Sequence, residues 1–199
     1  MKTYQFKDKD DWMEARLGKV TGTRLKDIIE KRGGARKIGF YEIIAERVAV
    51  PADNENVMDR GKRLEEFAIE RFEKETKKKV NKDLVIWCRD DNEDIAISPD
   101  GFIGKKEAVE VKCLSSARHL EAYLTKKLPS EYEEQALQYF IVNDDLKTLY
   151  FCFFDPRMPM DFFYLEIKRA DVAEKVVEYL ELEKRVLEEI KQIQKELTF

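Results

Sequence analysis

Two stretches of the chain carry side chains able to do acid–base or metal chemistry together. In Ser98-Pro99-Asp100-Gly101 an acid closes a short apolar run, and in Glu110-Val111-Lys112 an acid and a lysine stand two residues apart. Side chains alternate along a strand, so Glu110 and Lys112 face one way and Val111 the other. A turn at Gly104-Lys105-Lys106 folds the second stretch back until Asp100 meets Glu110. Two carboxylates converging on one point repel, take up a proton or share a cation, and hard oxygen ligands favour Mg²⁺, with Mn²⁺ as a substitute. An ammonium beside them can orient or help deprotonate a water, or offset charge building up on a phosphate. The plainer alternative is an ordinary turn at Asp100 and an exposed Glu110–Lys112 cross-strand pair. Against it, Val109, Val111 and Cys113 make the strand's other face apolar, as are Ile95 and Ile97, and uncompensated charge is costly in such a setting.

A third acid comes from a helix expected over about Met58 to Lys78. Leu64, Phe67, Ala68, Ile69 and Phe72 define its apolar sector, Glu66, Glu70 and Glu73 fall opposite, and Glu65 lies on the apolar side. Its partner is either a salt bridge to Arg16 or Lys62, or the metal centre itself. Three acids and a lysine are what metal-assisted phosphodiester hydrolysis requires.

The elements that must position these groups follow the hydrophobic pattern. Short helices are expected over Asp8 to Leu17, ending near Gly18, over Arg24 to Lys31 with Thr21-Gly22-Thr23 as its cap, and over Tyr41 to Val50, which stops before Pro51. They form a helical N-terminal portion, about 1–55. Strands are expected at Leu84 to Cys88, Ile95 to Ile97, Ala108 to Cys113, Thr148 to Phe154 and Phe162 to Lys168, with helices over Ser116 to Lys127 and Glu131 to Val142. The tail, about 171–197, is one amphipathic helix with Val172, Val176, Leu180, Leu187, Ile190 and Leu197 near one face, and is expected to pack on its own sheet. The order predicts one α/β or α+β domain spanning 1–199.

Composition narrows the function classes. Hydrophobic residues at 43%, with 12 Phe, exclude a disordered chain. The longest uncharged run, Gln135 to Asn143, is far shorter than a membrane helix, and Met1-Lys2-Thr3-Tyr4 starts no secretion signal, so a cytoplasmic location is expected, with no membrane. Cys88, Cys113 and Cys152 form no CxxC, which argues against a zinc ribbon or a disulfide framework. The net charge of −4 lends no support to nucleic-acid binding as a property of the whole chain.

Six motifs in order resemble the lambda-type phage recombination exonucleases, the YqaJ-like viral recombinases of the larger proline-aspartate, acid-x-lysine nuclease superfamily. They are Trp12-x-x-x-Arg16-x-Gly18-x-Val20-Thr21-Gly22-Thr23, Gly61-Lys62-x-x-Glu65, Ser98-Pro99-Asp100-Gly101, Glu110-Val111-Lys112-Cys113, Tyr132-x-x-Gln135 and Asp155-Pro156-Arg157-Met158. The resemblance implies a restriction-endonuclease-like mixed central sheet flanked by helices. It implies Asp100, Glu110 and the main-chain carbonyl of Val111 as metal ligands, Lys112 as the catalytic lysine, and Glu65 as an acid holding the metal or the attacking water. Arg16, Thr23 and Ser98 match residues that bind the DNA 5′ phosphate, a role suited to a guanidinium fork and hydroxyl donors. Gln135 and Gln138 both match substrate-binding glutamines, and either can be the one that acts. Val57 or Met58 matches an apolar wedge at the duplex end. The activity implied is 5′→3′ exonuclease digestion of double-stranded DNA, leaving 3′ single-stranded tails for recombination, by a ring-shaped homotrimer working with a single-strand annealing protein. Within a ring, an acidic exterior is compatible with a basic channel. The rivals are a structure- or sequence-specific endonuclease on the same core and a non-catalytic DNA-binding module.

Other features read more simply. His119 follows Arg118 on an expected surface helix. Cys113 is read as core packing, Lys77-Lys78-Lys79 and Lys126-Lys127 as solvated surface, and the aromatic residues at 150–154 and 162–164 as core strands.

Overall fold

The computed structural model describes the chain except residues 30, 33–34, 37–39, 41–42, 44–58, 115, 157 and 198–199, together with the side chains at 31–32, 35–36, 59–63, 116–118 and 120. The helix expected over Tyr41 to Val50 and the wedge candidates Val57 and Met58 fall outside these.

The chain opens with a strand that the sequence pattern did not reveal, β1 (Lys2–Phe6), whose side chains are mostly exposed and therefore lack an apolar alternation. Helix α1 (Lys9–Glu14) follows, capped by Asp8, whose carboxylate accepts from the Asp10 and Asp11 amides. Helix α2 (Gly22–Ile29) starts earlier than expected, and Lys31, expected in that helix, belongs instead to a two-residue hairpin of β2 (Lys31–Arg32) and β3 (Ala35–Arg36). Next come α3 (Asp59–Thr76), β4 (Leu84–Cys88) and β5 (Ala96–Ile97), and then β6 (Gly101–Ile103) and β7 (Glu107–Lys112). Helices α4 (Ser116–Thr125) and α5 (Glu133–Val142) are separated by a single 3₁₀ turn, Ser130–Tyr132. Strands β8 (Thr148–Phe154) and β9 (Phe162–Lys168) lead into the long α6 (Arg169–Leu197).

The strands form two main sheets. One has the order β1–β4–β5; the other, β6–β7–β8–β9, is mixed, with β7 and β8 parallel and its other neighbours antiparallel. The fold is a mixed α+β one. Parallel pairing of β7 with β8 needs a long crossover, and α4 and α5 supply it. The turn between β6 and β7 contains Gly104 with φ +59°, a left-handed value that glycine adopts without strain.

Each face of the mixed sheet is covered by a different helix. Val109, Val111, Tyr150 and Cys152 pack against Ala68, Ile69 and Phe72 of α3. Ala108, Leu149, Phe151 and Phe153 pack against Ala136, Leu137 and Phe140 of α5. The aromatic strands are thus core, as expected. Phe67, assigned by helical spacing to the apolar sector, is exposed, because the described part of α3 meets the sheet through a narrower stripe of Leu64, Ala68, Ile69 and Phe72.

The tail helix differs from expectation in its partners. Val176, Val186, Leu187 and Ile190 join the core formed with α2 and α5, so α6 covers helices more than sheet, and Leu197 at its end is exposed. Arg169 at its start donates to the carbonyls of Phe140, Asn143 and Leu146, satisfying groups that the end of α5 leaves open.

Candidate active site

The β6–β7 hairpin places Gly101 opposite Val109, so Asp100 stands at the edge of β7 beside Glu110 and Val111. The Val111 amide donates to Asp100 Oδ2 at 2.7 Å and fixes that carboxyl. Glu110 and Lys112 share the face of β7 that looks toward α5, and Lys112 Nζ donates to Glu110 Oε1 at 2.5 Å. From α5, Gln135 Nε2 donates to the same Oε1 at 2.5 Å, and the Tyr139 hydroxyl donates to Oε2. Glu65 enters from α3, one turn before Ile69, with its carboxyl in hydrogen-bonding reach of Asp100.

The electrostatics follow from burial. Asp100 is held well above the usual carboxylate range, first by desolvation and then by the charges of Glu110 and Glu65. Glu65 is raised for the same reasons, desolvation first and then Glu110. Burial alone would depress Lys112, but Glu110 and Asp100 outweigh it and keep the ammonium charged.

Among the described residues no group of three or more His, Cys, Asp and Glu side chains is placed to hold a metal ion. Both oxygens of Glu110 and one of Asp100 are engaged by donors of the protein. The donor chemistry nevertheless suits a hard divalent ion: Asp100, Glu110, Glu65 and the Val111 carbonyl are all oxygen donors, and a cation would oppose the burial and mutual repulsion that raise Asp100 and Glu65.

Of the expected phosphate-binding residues, Arg16 is half-buried, stacked 4.5 Å from the Trp12 ring centre. Desolvation lowers it, while Glu110 and Asp100 pull the other way, which places its guanidinium within the field of the acids. Ser98 is half-buried, and its Oγ is enclosed without a hydrogen-bond partner. Thr23 is exposed and lines a cavity of about 270 Å³ with Gly22, Lys26, Tyr132 and Gln135. A Cβ on Gly22 would lie 2.5 Å from Ile97 Cδ1 and 2.9 Å from Gln135 Cγ, so only glycine lets α2 approach this closely.

The structure separates the two glutamines. Gln135 reaches Glu110, whereas Gln138 is fully buried and donates to Val20 O, Ala96 O and Glu183 instead, so it does not face the acids. Spacing does not part them, since residues three apart are neighbours on a helix; the segments packed on either side give them different partners. Tyr139 was not singled out from the sequence, although Gln135 and Tyr139 stand four apart and so share a helix face. Tyr132, the first residue of the Tyr132-x-x-Gln135 motif, places its ring 5.3 Å from Lys112 Nζ.

Three simpler readings need correction. His119 is not on the surface: it is fully buried, its Nε2 donates to Met160 O at 2.8 Å, and its ring meets Phe163 edge-on. Cys113 is exposed rather than core, because β7 ends at Lys112 and the alternation ends with it. Lys78 is not simply solvated, since it pairs with Glu107 at 2.7 Å.

Comparison with known proteins adds what the geometry leaves open. Residues 11–145 match the model of the YqaJ-like viral recombinase domain, a span that holds every group of the acid cluster. The chain belongs to the YqaJ-like viral recombinase family. This YqaJ-like domain is also similar to LHK-Exo, an alkaline exonuclease from Laribacter hongkongensis, with 28% identity, a TM-score of 0.77, and coverage of 94% of this chain and 97% of that one. The same values hold for LHK-Exo in complex with dAMP. A phage-related exonuclease from Haemophilus somnus 129PT, 16% identical with a TM-score of 0.58 over 90% of this chain and 96% of that one, shares the fold. No curated protein sequence matches the chain. Among the described residues of this YqaJ-like domain no helix is long and apolar enough to cross a membrane.

Proposed function

We propose that this YqaJ-like domain is a Mg²⁺-dependent exonuclease that digests one strand of duplex DNA from its 5′ end and leaves a 3′ single-stranded tail for strand annealing. The observation that carries the reading is the meeting of Asp100, Glu110 and Lys112 at one end of β7 with Glu65 beside them. Family membership and likeness to an alkaline exonuclease support a DNA nuclease.

Asp100, Glu110, the Val111 carbonyl and Glu65 would hold the divalent ion, with Mn²⁺ as an alternative. Such an ion, when bound, supplies Lewis-acid polarisation of the phosphate and lowers the pKa of a water. The protein's own contribution is positioning and charge. Lys112, anchored on Glu110 Oε1, presents a fixed ammonium to the negative charge that grows on the phosphate oxygens. Gln135 and Tyr139 keep the Glu110 carboxylate from rotating, and the Val111 amide does the same for Asp100. Arg16, Thr23 and Ser98 are proposed to receive the 5′ phosphate, and the unpartnered Ser98 hydroxyl supports that role. A homotrimeric ring around the DNA, a single-strand annealing partner and action in the cytoplasm of the host cell complete the proposal. A closed ring would also let a chain of net charge −4 present a basic lining to the duplex.

The test is digestion of linear duplex labelled separately at each end, with and without a 5′ phosphate and Mg²⁺, beside a closed circular duplex. Release of label from the 5′ ends only, with the circle intact, is expected. Cutting of the circle would make the protein an endonuclease, and binding without cutting would make it a DNA-binding module.

A further inference from the structure

Another buried acid lies away from the cluster, outside the proposed reaction. Glu183, in the middle of α6, has 0% exposure. It meets Gln138 of α5, whose Nε2 donates to Glu183 Oε1 at 2.9 Å, to Val20 O at 3.1 Å and to Ala96 O at 3.4 Å. An amide nitrogen carries two hydrogens, so three acceptors share two protons. The remaining oxygens of the pair, Gln138 Oε1 and Glu183 Oε2, are both enclosed without a hydrogen-bond partner. Val20 O also accepts from the Ala96 amide at 3.1 Å, so what the node lacks is a donor for these two enclosed oxygens, and a proton on Glu183 Oε2 turns one of them into a donor.

The surroundings favour that proton. Arg89, just past β4, is the charged group whose field reaches Glu183, and it is itself engaged by Asp91 and Asp144. On α2, Lys26 pairs with Glu134 of α5; on β9, Glu166 and Lys168 form an exposed pair; on α6 itself, Lys184 pairs with Asp91. A buried carboxylate with no cation bonded to it is expensive, whereas a buried carboxylic acid hydrogen-bonded to an amide is not.

We propose that Glu183 is a neutral carboxylic acid and a positioning residue, which through Gln138 ties the C-terminal helix to the two chain segments leading into the acid cluster. Val20 lies between Arg16 and Thr23, and Ala96 lies two residues before Ser98, so the node sits where the phosphate-binding segment and the strand preceding Asp100 run side by side, joined by the Val20–Ile95 bridge. Burial raises Glu183 to about 8, and Gln138 and Arg89 oppose this only in part. The sign follows. A carboxyl raised in the fold contributes stability that is fully present below its ordinary value of 4.5 and is lost as pH rises to about 8, beyond which the loss is constant.

The experiment compares wild type with Glu183→Gln, which fixes the neutral form. The melting temperature of the variant relative to wild type is expected to rise with pH between 4.5 and about 8 and to level off above. A difference that stays flat across that window overturns the proposal. Infrared difference spectra at pH below 8 should show the carbonyl stretch of a protonated, unhydrated acid in wild type and its loss in the variant; an ionised carboxylate there overturns it too. If Glu183→Gln does not fold, Glu183→Met, uncharged and of similar length, takes its place in both measurements. The role in positioning rests on the nuclease reading: exonuclease activity of Glu183→Gln relative to wild type should be near equal below pH 8 and higher above it. A ratio that does not change with pH, alongside the expected melting and infrared results, would overturn the positioning role, whereas a wild type with no nuclease activity at any pH would fail the functional reading instead.

Discussion

The buried hydroxyl of Tyr139 on α5 donates to Glu110 Oε2 on β7, so a helix from the crossover fixes the orientation of the proposed ligand on the strand. Gln135, one turn earlier, holds the other oxygen of the same carboxylate together with Lys112. Glu110 is therefore aligned by three donors before any substrate arrives, which limits the reorganisation left for the reaction.

Removing one donor while keeping the ring tests this alignment. Tyr139→Phe leaves a buried carboxylate oxygen unsatisfied, a loss of about 1.5–3 kcal/mol for a hydrogen bond to a charged group. A fall of roughly 10–100-fold in kcat is expected, with DNA-end affinity nearly unchanged; steady-state kinetics beside an equilibrium binding assay check it.

Lys112→Ala removes the ammonium that, among the described residues, is bonded to Glu110. Cleavage should fall by at least about 10²-fold while end binding, measured by fluorescence anisotropy, persists. Turnover retained with Mg²⁺ would assign the charge-offsetting role elsewhere.

The two glutamines should part in their phenotypes. Gln135→Ala is expected to lower turnover with a small change in melting temperature, because its amide serves Glu110 near the surface of the cavity. Gln138→Ala is expected to lower the melting temperature, since it strips the buried carbonyls of Val20 and Ala96 and the Glu183 carboxyl of their common donor. Thermal melts run alongside the nuclease assay distinguish them.

Divalent ions should stabilise the fold in a pH-dependent way. Asp100 and Glu65 are raised in the fold, so their contribution without a cation is full at low pH and is lost as pH rises through their folded values. Mg²⁺ competes with those protons, so the melting-temperature gain on adding Mg²⁺, and its loss on chelation, should grow with pH. Differential scanning calorimetry at several pH values is the check, and a gain independent of pH would argue that these acids are not the ligands.

A small substitution at the N-terminus of α2 should be disproportionately harmful. Gly22→Ala places a methyl 2.5 Å from Ile97 Cδ1 and 2.9 Å from Gln135 Cγ, overpacking the junction beside the cavity. About 1–3 kcal/mol of stability should be lost, read from urea unfolding, together with reduced turnover because Gln135 is pushed from Glu110.

Much of this protein is legible in its sequence because the relevant physics is local. Alternation along a strand puts Glu110 and Lys112 on one face, a glycine turn returns Asp100 to them, and the long apolar strands at 148–154 and 162–168 declare themselves by composition. The ordered motifs likewise point to the family to which the chain belongs. What escaped depends on partners distant in sequence. β1 is a strand because it pairs with β4, not because of its own pattern. His119 is buried because the segment after β8 folds over it, and Cys113 is exposed because the strand stops one residue short.

The division is sharpest in α5. Sequence alone determined that a helix runs through Gln135, Gln138 and Tyr139, since backbone hydrogen bonds and apolar spacing specify that much. Only the tertiary structure decided that Gln135 and Tyr139 grip Glu110 while Gln138 turns to Glu183, because which face of a helix meets the sheet and which meets another helix is set by packing among segments brought together from the whole chain.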